Sequence, residues 1–262
     1  MECQTLKNWG TIVIDTAIIL AAGRGSRMNS LTANKPKCQL ELAGHTLLDW
    51  QISALQHAGL RQQYVVLGYL AETIQGEFHR LINTNWAETN MVRTLLCAEN
   101  IISTKACIIS YSDIAYHPSH ITKLCANPEE IAITYDTRWQ ELWSLRFQDP
   151  LSDAESFKES NGILTDIGKK TDKFEHVQGQ YMGLIKCTSK GLRWIQNFIS
   201  ELPDRDADKL DMTSMLAGLL KKGKRIGATP VEGKWVEADN AGDLRAYEEL
   251  LAVGTFSHDF RW

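Results

Sequence analysis

The chain has few of the residue patterns that mark extracellular or membrane proteins. No two of its cysteines form a C-x-x-C pair; they are Cys3, Cys38, Cys97, Cys107, Cys125 and Cys187. This spread argues against a disulfide framework or a zinc cluster and favours reduced, packed thiols in a cytoplasmic protein. The first residues do not place a charged stretch before an apolar region, as a secretory signal would. No apolar run is long enough to span a bilayer, so we expect no membrane partner.

An excess of positive charge is also absent. The 28 Lys and Arg residues are outnumbered by 32 Asp and Glu residues, which gives a formal net charge of -4. Proteins that bind nucleic acid usually present a broad basic surface, so we expect no nucleic-acid partner. A pocket for a small phosphate compound needs only a few local cations and is compatible with this charge.

Strand and helix patterns alternate through the first half of the chain. This alternation predicts an α/β fold with a Rossmann-like, mixed but mainly parallel sheet flanked by helices. The predicted strands span residues 17–21, with 1–15 as an extension, and then 63–67, 80–83, 106–110 and 131–137. The predicted helices span residues 46–57, 71–77, 90–99 and 121–125, and residues 23–37 are a predicted loop.

The residue pattern changes at residue 138, after which aromatic residues are interspersed with charged residues. Strands are predicted at residues 162–170, 177–186 and 225–230, followed by the segment 235–239. Helices are predicted at residues 190–201, 212–221 and 241–251, the last of which closes the fold. The composition is 44% hydrophobic, enough for a sizeable core, and no repeat or linker interrupts it. We therefore predict one domain over residues 1–262.

The strongest functional signal is the segment LAAGRGSRM at residues 20–28, followed by Lys-Pro-Lys at 35–37. Glycines directly after a buried strand let the backbone approach a ligand, and successive N–H groups in such a turn can surround phosphate oxygens. The loop also carries four cations, which are Arg24, Arg27, Lys35 and Lys37. These features indicate a triphosphate site. A turn with solvated basic residues is the alternative, and for Lys35 alone both interpretations stand.

Other ligand and catalytic motifs do not fit. The dinucleotide fingerprint requires a third glycine where this loop has Met28, and no acidic residue ends a strand at the expected distance. A P-loop requires Gly-Lys-Ser/Thr, whereas residues 168–171 read Gly-Lys-Lys-Thr. Ser26 lacks the G-x-S-x-G turn of a hydrolase. His117 and His120 have a zinc-like spacing but no third ligand nearby, and we expect His120 on a solvated helix end.

The glycine-rich loop resembles the signature of the sugar-phosphate nucleotidyltransferase superfamily, whose members share a Rossmann-like fold of the glycosyltransferase A type. The resemblance implies that the loop wraps the nucleotide and that Arg27 and Lys37 contact phosphates as the catalytic cations. Residues 40–48 also resemble the family's turn from strand to helix, except that Thr46 replaces the usual proline. The loop positions implied to bind nucleotide are Leu20, Ala21, Ala22, Gly23, Arg24, Gly25 and Lys37.

Acidic residues follow two later strands. Asp113 comes after the apolar strand at 106–110, and Glu237 and Asp239 lie in the segment 235–240. Carboxylates at the carboxyl ends of strands lie where α/β sheets bind ligands, and Mg²⁺ prefers oxygen ligands. The resemblance implies that Asp113 and Asp239 bind Mg²⁺, with Glu237 as a third candidate. Asp243 is expected to cap the following helix.

Two further segments narrow the resemblance. Gly68 and Tyr69 end the second strand, where the family has its base pocket. Asn90 begins the segment NMVRTL, which resembles phosphocholine-type and phosphonate-type cytidylyltransferases, whereas sugar nucleotidyltransferases usually carry a Gly-Thr-Ala type motif there. The resemblance therefore implies CTP as the donor, bound also by Gly68, Tyr69 and Asn90. Relatives in this subgroup act on phosphocholine, on 2-aminoethylphosphonate and on phosphorylated amino-acid amides used for capsule decoration.

An aromatic and acidic stretch begins after the fifth strand. Rings and carboxylates together suit an acceptor with a cationic amine, because an aromatic face attracts an ammonium group by roughly 0.5 to 2 kcal/mol. The acceptor-binding residues expected on this basis are Trp139, Trp143, Glu155 and Tyr181, and Asp153 could add charge pairing. Aromatic residues at 139, 143 and 147 recur at intervals of four, which is also typical of a packed helix face, so both interpretations stay open.

These observations predict a Mg²⁺-dependent cytidylyltransferase that transfers CMP from CTP to a small phosphate or phosphonate acceptor and releases pyrophosphate. Residues 17–137 would form its nucleotide-binding half and residues 138–251 its acceptor-binding half. Three alternatives remain: a sugar-1-phosphate nucleotidyltransferase making an NDP-sugar, a non-catalytic nucleotide-binding module, and a dinucleotide oxidoreductase. The resemblance implies a role in cell-surface polysaccharide biosynthesis, and a homodimer is compatible with the sequence.

Overall fold

The computed structural model describes residues 14–262, so most of the predicted extension at 1–15 lies outside the described residues. The strands of this part are, in chain order, β1 (Thr16–Ala21), β2 (Glu41–Leu42), β3 (His45–Thr46), β4 (Gln62–Leu67), β5 (His79–Ile82), β6 (Cys107–Tyr111), β7 (Ile114–Tyr116), β8 (Ile131–Asp136), β9 (Glu155–Ser160), β10 (Ile163–Lys170), β11 (Gln180–Cys187), β12 (Ile226–Val231) and β13 (Trp235–Glu237). Nine of them form one sheet in the order β5-β4-β1-β6-β11-β8-β12-β10-β9.

Most strands of this sheet point in the same direction. Parallel pairs join β4 to β5, β1 to β4, β1 to β6, and β8 to β12. Only β10 and β11, among the nine, run against the others, because each pairs antiparallel with both of its neighbours. The prediction of a mixed, mainly parallel sheet is therefore confirmed. Two short pairs, β2 with β3 and β7 with β13, lie outside the large sheet.

The central strands are buried on both faces. In β1, Ala17, Ile19 and Ala21 pack into one apolar cluster, while Ile18 and Leu20 pack into a second. This division follows from strand geometry, because successive side chains point to opposite faces of a sheet. A continuous apolar run without polar alternation is thus the sequence pattern of a strand covered on both sides.

Helices cover both faces of the sheet. Those of the described residues are α1 (Leu47–His57), α2 (Met91–Leu96), α3 (Glu99–Ile102), α4 (Pro118–Cys125), α5 (Trp139–Arg146), α6 (Ser189–Ser200), α7 (Asp204–Lys209), α8 (Met212–Lys221) and α9 (Ala241–Val253). At the start of α9, the side chains of Asn240 and Asp243 each accept a hydrogen bond from the other residue's backbone N–H. This capping box confirms the predicted capping role of Asp243.

Several predicted elements have different bounds. The helix predicted at 71–77 is only a 3-10 turn at Ala71–Thr73, because Ile74 is already extended and Gly76 adopts a φ of 157°, which no helix accommodates. The loop predicted at 23–37 contains a 3-10 turn at Ser26–Thr32, and the helix predicted at 90–99 is divided into α2 and α3. The strand β9 was not predicted. It is an edge strand with polar residues on its partly exposed side, which hides the strand pattern.

The expectation that His120 lies on a solvated helix end is wrong. The helix α4 begins at Pro118, three residues before the predicted start, and this places His120 in its first turn. Its side chain faces the core and is only 2% exposed. Burial, with a smaller contribution from the neighbouring His117, lowers the pKa of His120 to about 3. The imidazole is therefore neutral at physiological pH.

The helix α9 was expected to close the fold, but residues after α9 also pack into the core. Beyond it, Phe256, His258 and Phe260 return to the interior and are buried. The Nε2 atom of His258 lies 2.9 Å from Oδ2 of Asp136, and Trp235 Nε1 donates to the same oxygen at 3.0 Å. This buried cluster ties the last residues to the end of β8 and the start of β13.

The structure also bears on the predictions made from the cysteines and from the lack of long apolar runs. The five cysteines in the described part of the chain are free, while Cys3 lies outside it. Among the helices of residues 14–262, none combines the length and the apolar character needed to cross a bilayer.

Candidate active site

The glycine-rich loop, residues 22–37, follows the carboxyl end of the central strand β1. Gly25 has a φ of 71°, a left-handed conformation that favours glycine. A Cβ atom at Gly25 would lie 2.9 Å from Cβ of Lys37, so the loop packs directly on the stem of this lysine. Gly23, Arg24 and Arg27 are exposed, whereas Leu20, Ala21 and Ala22 are buried at the strand end. The two glycines thus allow a turn that brings exposed backbone and a lysine together.

The end of β4 lies against the same loop. A Cβ atom at Gly68 would lie 2.6 Å from the backbone oxygen of Ala22 and 2.6 Å from Cβ of Trp86, so only glycine fits without a shift. The backbone N–H of Tyr69 donates to Ala22 O at 3.0 Å, and the Arg24 guanidinium lies 5.5 Å from the centroid of the Tyr69 ring. Trp86, which the sequence analysis did not single out, packs edge-on to Tyr69 at 5.3 Å. Gly68 and Tyr69 therefore border the loop.

Asn90 has a structural role that its sequence context did not reveal. Its Oδ1 accepts a hydrogen bond from Met91 N–H at 2.8 Å, which caps α2. Its Nδ2 donates to the backbone oxygen of Lys209 at 3.1 Å, which holds α2 to the end of α7. Its contact with a nucleotide stays a prediction.

Lys37 places its ammonium between two carboxylates. The Nζ atom donates to Asp113 Oδ2 at 2.7 Å and to Asp239 Oδ1 at 2.9 Å, and the residue is 7% exposed. Burial by itself would lower the pKa of Lys37, but the charges of Asp113 and Asp239 outweigh it and raise the pKa above its ordinary value. Lys37 is therefore a permanent cation at this point. Arg27 reaches the same cluster from the exposed side and donates to Asp239 Oδ2 at 3.1 Å.

The small sheet of β7 and β13 brings the acidic residues together. Asp113 precedes β7, and β7 pairs antiparallel with β13, so that Ile114 lies opposite Glu237. The backbone N–H of Ala238 donates to Asp113 O at 2.9 Å, which fixes the two segments at the site. Oxygen atoms of Asp113, Glu237 and Asp239 lie within 4.8 Å of one another. We call these three residues the carboxylate cluster.

The cluster has the chemistry of a site for a hard divalent cation. Three carboxylates supply the oxygen ligands that Mg²⁺ prefers, and Asp113 Oδ1 is buried without a hydrogen-bond donor among residues 14–262. Burial raises the pKa of Glu237 to about 7, and the charge of Asp239 contributes to this rise. Burial would also raise the pKa of Asp239, but Lys37 and the two nearby arginines lower it. Lys37 and these arginines thus offset part of the negative charge, and the converging oxygens of the three acids offer a position for a divalent cation.

A buried arginine completes the site, and the sequence analysis missed it. Arg146, the last residue of α5, donates to Glu237 Oε2 at 2.8 Å and to Asp239 Oδ2 at 2.9 Å. Its side chain is 1% exposed. The sequence offers little signal for this role, because a basic residue in the last turn of a helix is common on solvated faces.

A cavity of about 260 Å³ opens beside the carboxylate cluster. Three of the predicted acceptor-binding residues, Trp143, Glu155 and Tyr181, line it together with Arg27 and Tyr111. Burial, followed by the charges of Asp211 and Asp153, raises the pKa of Glu155 above its usual value.

The fourth predicted acceptor residue lies elsewhere. Trp139 is 2% exposed, belongs to the apolar core and is not among the residues that line the cavity. Its ring packs on Phe174 and edge-on to Trp143, with centroid distances of 6.1 Å in both pairs. Trp139 therefore supports Trp143 from behind.

The glycine-rich loop, with its exposed turn and its basic side chains, follows the carboxyl end of β1 and faces the carboxylate cluster. This arrangement suits the transfer of a phosphorus group from a nucleotide. Residues 17–168 match the family of MobA-like NTP transferase domains. The chain belongs to this family. It is therefore a nucleotidyltransferase, and the predicted family and α/β fold are confirmed.

Two characterised relatives differ in how much of their length matches this nucleotidyltransferase. The CTP:phosphoglutamine cytidylyltransferase of Campylobacter jejuni is 37% identical over 251 residues, which cover 89% of this chain and 99% of that protein. The CMP-5'-(3-aminopropyl)phosphonate synthase of Streptomyces rubellomurinus is 26% identical over 172 residues, which cover 61% of this chain but only 26% of that protein.

A solved structure agrees with the fold of the nucleotidyltransferase. The inositol-1-phosphate CTP transferase of T. maritima superposes with a TM-score of 0.74 and covers 92% of this chain and 97% of that chain. At 19% sequence identity, this likeness concerns the fold alone.

Proposed function

We propose that this nucleotidyltransferase transfers CMP from CTP to a small phosphate or phosphonate acceptor that bears an amine, with phosphoglutamine as the first candidate. The observation that carries the proposal is the identity of 37% to a CTP:phosphoglutamine cytidylyltransferase along nearly the whole of that relative. The partial match to a synthase of an aminopropylphosphonate nucleotide supports the same acceptor class.

The proposed reaction is a single in-line displacement at phosphorus. An oxygen of the acceptor phosphate attacks the α-phosphorus of CTP, the bond from that phosphorus to the bridging oxygen of the β-phosphate breaks, and pyrophosphate leaves with the electron pair. The attacking oxygen is already an anion, so no strong general base is needed. Catalysis then consists of positioning the two substrates and stabilising the charge that develops between them.

Lys37 and Arg27 are the proposed catalytic cations. Lys37 projects from the base of the glycine-rich loop and already holds two carboxylate oxygens at hydrogen-bond distance. Arg27 is well placed to follow the leaving phosphates, because its side chain is 70% exposed and can move. The exposed backbone of Gly23 and Arg24 would face the triphosphate, where N–H groups stabilise phosphate oxygens.

Asp113, Asp239 and Glu237 are the proposed holders of Mg²⁺. Their converging oxygens and the unpartnered Asp113 Oδ1 support this assignment. When bound, Mg²⁺ would neutralise phosphate charge and orient the substrates. The residues of the chain contribute the fixed geometry: Asp113 is attached to the β7–β13 pair, and Asp239 is attached to the first turn of α9 through its N–H bond to Asp243 at 2.8 Å.

The cavity beside the cluster is the proposed acceptor site. Its volume of about 260 Å³ suits a small molecule, and the rings of Trp143 and Tyr181 with the acid Glu155 suit an ammonium group. The acceptor would thus bind in the half of the chain at 138–251. The nucleotide would bind in the half at 17–137, where Gly68, Tyr69 and the loop meet.

The location and pathway are part of the proposal. We place the enzyme in the cytoplasm, because free cysteines of the described part persist in a reducing compartment. Decoration of a cell-surface polysaccharide is the proposed use of the product, on the basis of the resemblance alone.

Pyrophosphate release across a grid of nucleotides and acceptors tests the function. We expect turnover with CTP and phosphoglutamine, and much weaker turnover with UTP, because a site built around the cytosine amine would leave polar groups mispaired. Phosphocholine, phosphoethanolamine and 2-aminoethylphosphonate test the breadth of the acceptor site. Efficient turnover of glucose 1-phosphate with UTP or dTTP, without use of the amines, would reject the proposal in favour of NDP-sugar synthesis.

A further inference from the structure

Arg146 lies between two aromatic rings behind the carboxylate cluster. Its guanidinium carbon is 5.2 Å from the centroid of the Trp143 ring and 5.1 Å from that of Phe147. The side chain is 1% exposed, so water cannot replace its protein partners. A guanidinium enclosed in this way has little freedom to move, and its planar N–H groups define the directions in which carboxylates can bind.

The contacts of Arg146 divide between two members of the cluster. Its guanidinium donates to Oε2 of Glu237 at 2.8 Å and to Oδ2 of Asp239 at 2.9 Å. Its Nε lies 3.5 Å from Asp243 Oδ2. Asp243 in turn accepts from the backbone N–H of Asp239 at 2.8 Å. The other oxygen of Asp239, Oδ1, lies 2.9 Å from Lys37 Nζ and 3.1 Å from a terminal nitrogen of Arg27. Arg146 therefore holds one oxygen of each carboxylate, while Asp239 Oδ1 faces the two cations of the glycine-rich loop.

Arg146 differs in this respect from the other cations of the site. Lys37 and Arg27 extend from the glycine-rich loop, and the Arg27 side chain is 70% exposed. Arg27 can exchange its carboxylate partner for phosphate oxygens when a nucleotide arrives; the Lys37 side chain is only 9% exposed but lies at the base of the same loop. Arg146 extends from α5 on the buried side and has no comparable path, so it keeps its carboxylates throughout.

We propose that Arg146 is the positioning residue of the metal site, holding Glu237 and Asp239 in the orientation that binds the divalent cation. The proposal rests on the proposed function for the identity of that cation. It assigns to Arg146 a geometric role that charge alone cannot fill, because a lysine offers a single ammonium without a planar fork. Groups that orient metal ligands typically change metal affinity by about 10- to 100-fold when removed.

The test is to measure Mn²⁺ binding to the Arg146→Lys variant by electron paramagnetic resonance, in the absence of nucleotide and acceptor. We expect the Mn²⁺ dissociation constant to rise about tenfold relative to the unsubstituted protein. In turnover, kcat should fall while the KM for CTP stays within about twofold, since the loop is intact. Arg138→Lys is the matched control at the start of the same helix; its exposed pair with Glu141 lies outside the site, so it should change neither quantity.

Several results would overturn the proposal. They are an unchanged or tighter Mn²⁺ affinity in Arg146→Lys, a loss of melting temperature with normal metal binding, and an absence of Mn²⁺ binding by the unsubstituted protein. If Arg146→Lys does not fold, Phe147→Leu keeps the guanidinium and removes one of its rings, and it should weaken Mn²⁺ binding in the same direction. Failure of the proposed function would appear separately, as a lack of turnover with CTP by the unsubstituted enzyme.

Discussion

The two sides of the active site are built in opposite ways. The glycine-rich loop is one continuous segment, and its leading residues Gly23, Arg24 and Arg27 are exposed. The carboxylate cluster comes from two segments that are distant in sequence and are brought together by the β7–β13 pair, and it contacts the buried Arg146. Substitutions in the loop should therefore act on substrate and turnover. Substitutions of buried residues on the carboxylate side can also act on the fold.

Asp113→Asn should have the largest effect on activity. It removes one charge of the carboxylate cluster but keeps the shape of the side chain. We expect pyrophosphate release to fall by about three orders of magnitude, because removing a single preorganised charge can cost up to about 4 kcal/mol of transition-state stabilisation. The melting temperature should change little, since Lys37 retains Asp239 as a partner. Asp208→Asn, which disrupts a surface pair with Arg93, is the matched control. Activity near normal in Asp113→Asn, or in excess EDTA, would remove the metal assignment.

Lys37→Ala tests the loop side of the comparison. Turnover should fall by about two to three orders of magnitude, mainly in kcat, because the ammonium acts on charge that develops in the transition state. Binding of Mn²⁺ without nucleotide should instead become tighter in this variant. In the unsubstituted protein, the Lys37 ammonium donates to the carboxylate oxygens that a metal would use. This sign is opposite to that expected for Arg146→Lys.

The neighbouring Lys35 provides the control for this experiment. Lys35→Ala should leave kcat within about threefold if Lys35 is only a solvated loop residue, and this resolves the two interpretations of its role. An unchanged kcat in Lys37→Ala, with only a raised KM, would mean that Lys37 contributes uniform binding.

The same contrast explains what could be predicted from the sequence. The loop was identifiable because its glycines, cations and preceding strand are adjacent in the chain. Asp113 and Asp239 could be proposed because each follows a strand, and the structure brings their carboxylates together; their binding of a metal stays a prediction. Arg146 could not be found, since its importance comes from the packing of α5 against β13. Spacing placed Trp139 and Trp143 on one helix but could not say that only Trp143 lines the cavity.

Asp136→Asn should separate stability from catalysis. The Asp136 carboxylate is fully buried and accepts from Gly233 N–H at 2.8 Å, from Trp235 Nε1 at 3.0 Å and faces His258 Nε2 at 2.9 Å. Breaking a buried pair of this kind costs about 3–5 kcal/mol, so the free energy of unfolding should fall by about 3 kcal/mol in chemical denaturation. Well below the melting temperature, kcat should remain within about threefold. The matched control Glu141→Gln breaks an exposed pair and should cost at most about 1 kcal/mol.

The pH dependence of stability has a defined sign at Asp136. Burial alone would raise its pKa, but hydrogen bonds from His258, Gly233 and Trp235 lower it below the ordinary value. A depressed folded-state pKa gives stability that is present above the unfolded-state pKa of about 3.9 and is lost as the pH falls through the folded-state value. The difference in stability between the unsubstituted protein and Asp136→Asn should therefore shrink as the pH falls below about 4. A constant difference down to pH 2 would contradict this assignment.

Glu155→Gln should give the smallest effect and concerns the acceptor cavity alone. The carboxylate lies in β9, apart from the carboxylate cluster, so its charge should act on a bound ammonium and not on the reacting phosphates. We expect the KM for an amine-bearing acceptor to rise about tenfold, the worth of roughly 1.4 kcal/mol, with kcat and the KM for CTP nearly unchanged. Burial and the charges of Asp211 and Asp153 raise the pKa of Glu155, so protonation reaches it at a higher pH than an ordinary glutamate.

The unsubstituted enzyme should therefore lose acceptor affinity as the pH falls, because protonation removes the charge that pairs with the ammonium, while Glu155→Gln should show no such loss. Steady-state kinetics with phosphoglutamine at several pH values measures this difference. Glu175→Gln is the control, since the Glu175 side chain is 73% exposed and does not line the cavity. Equal acceptor KM values in Glu155→Gln and the unsubstituted enzyme across this range would exclude Glu155 from the acceptor site and leave Trp143 and Tyr181 as its remaining candidates.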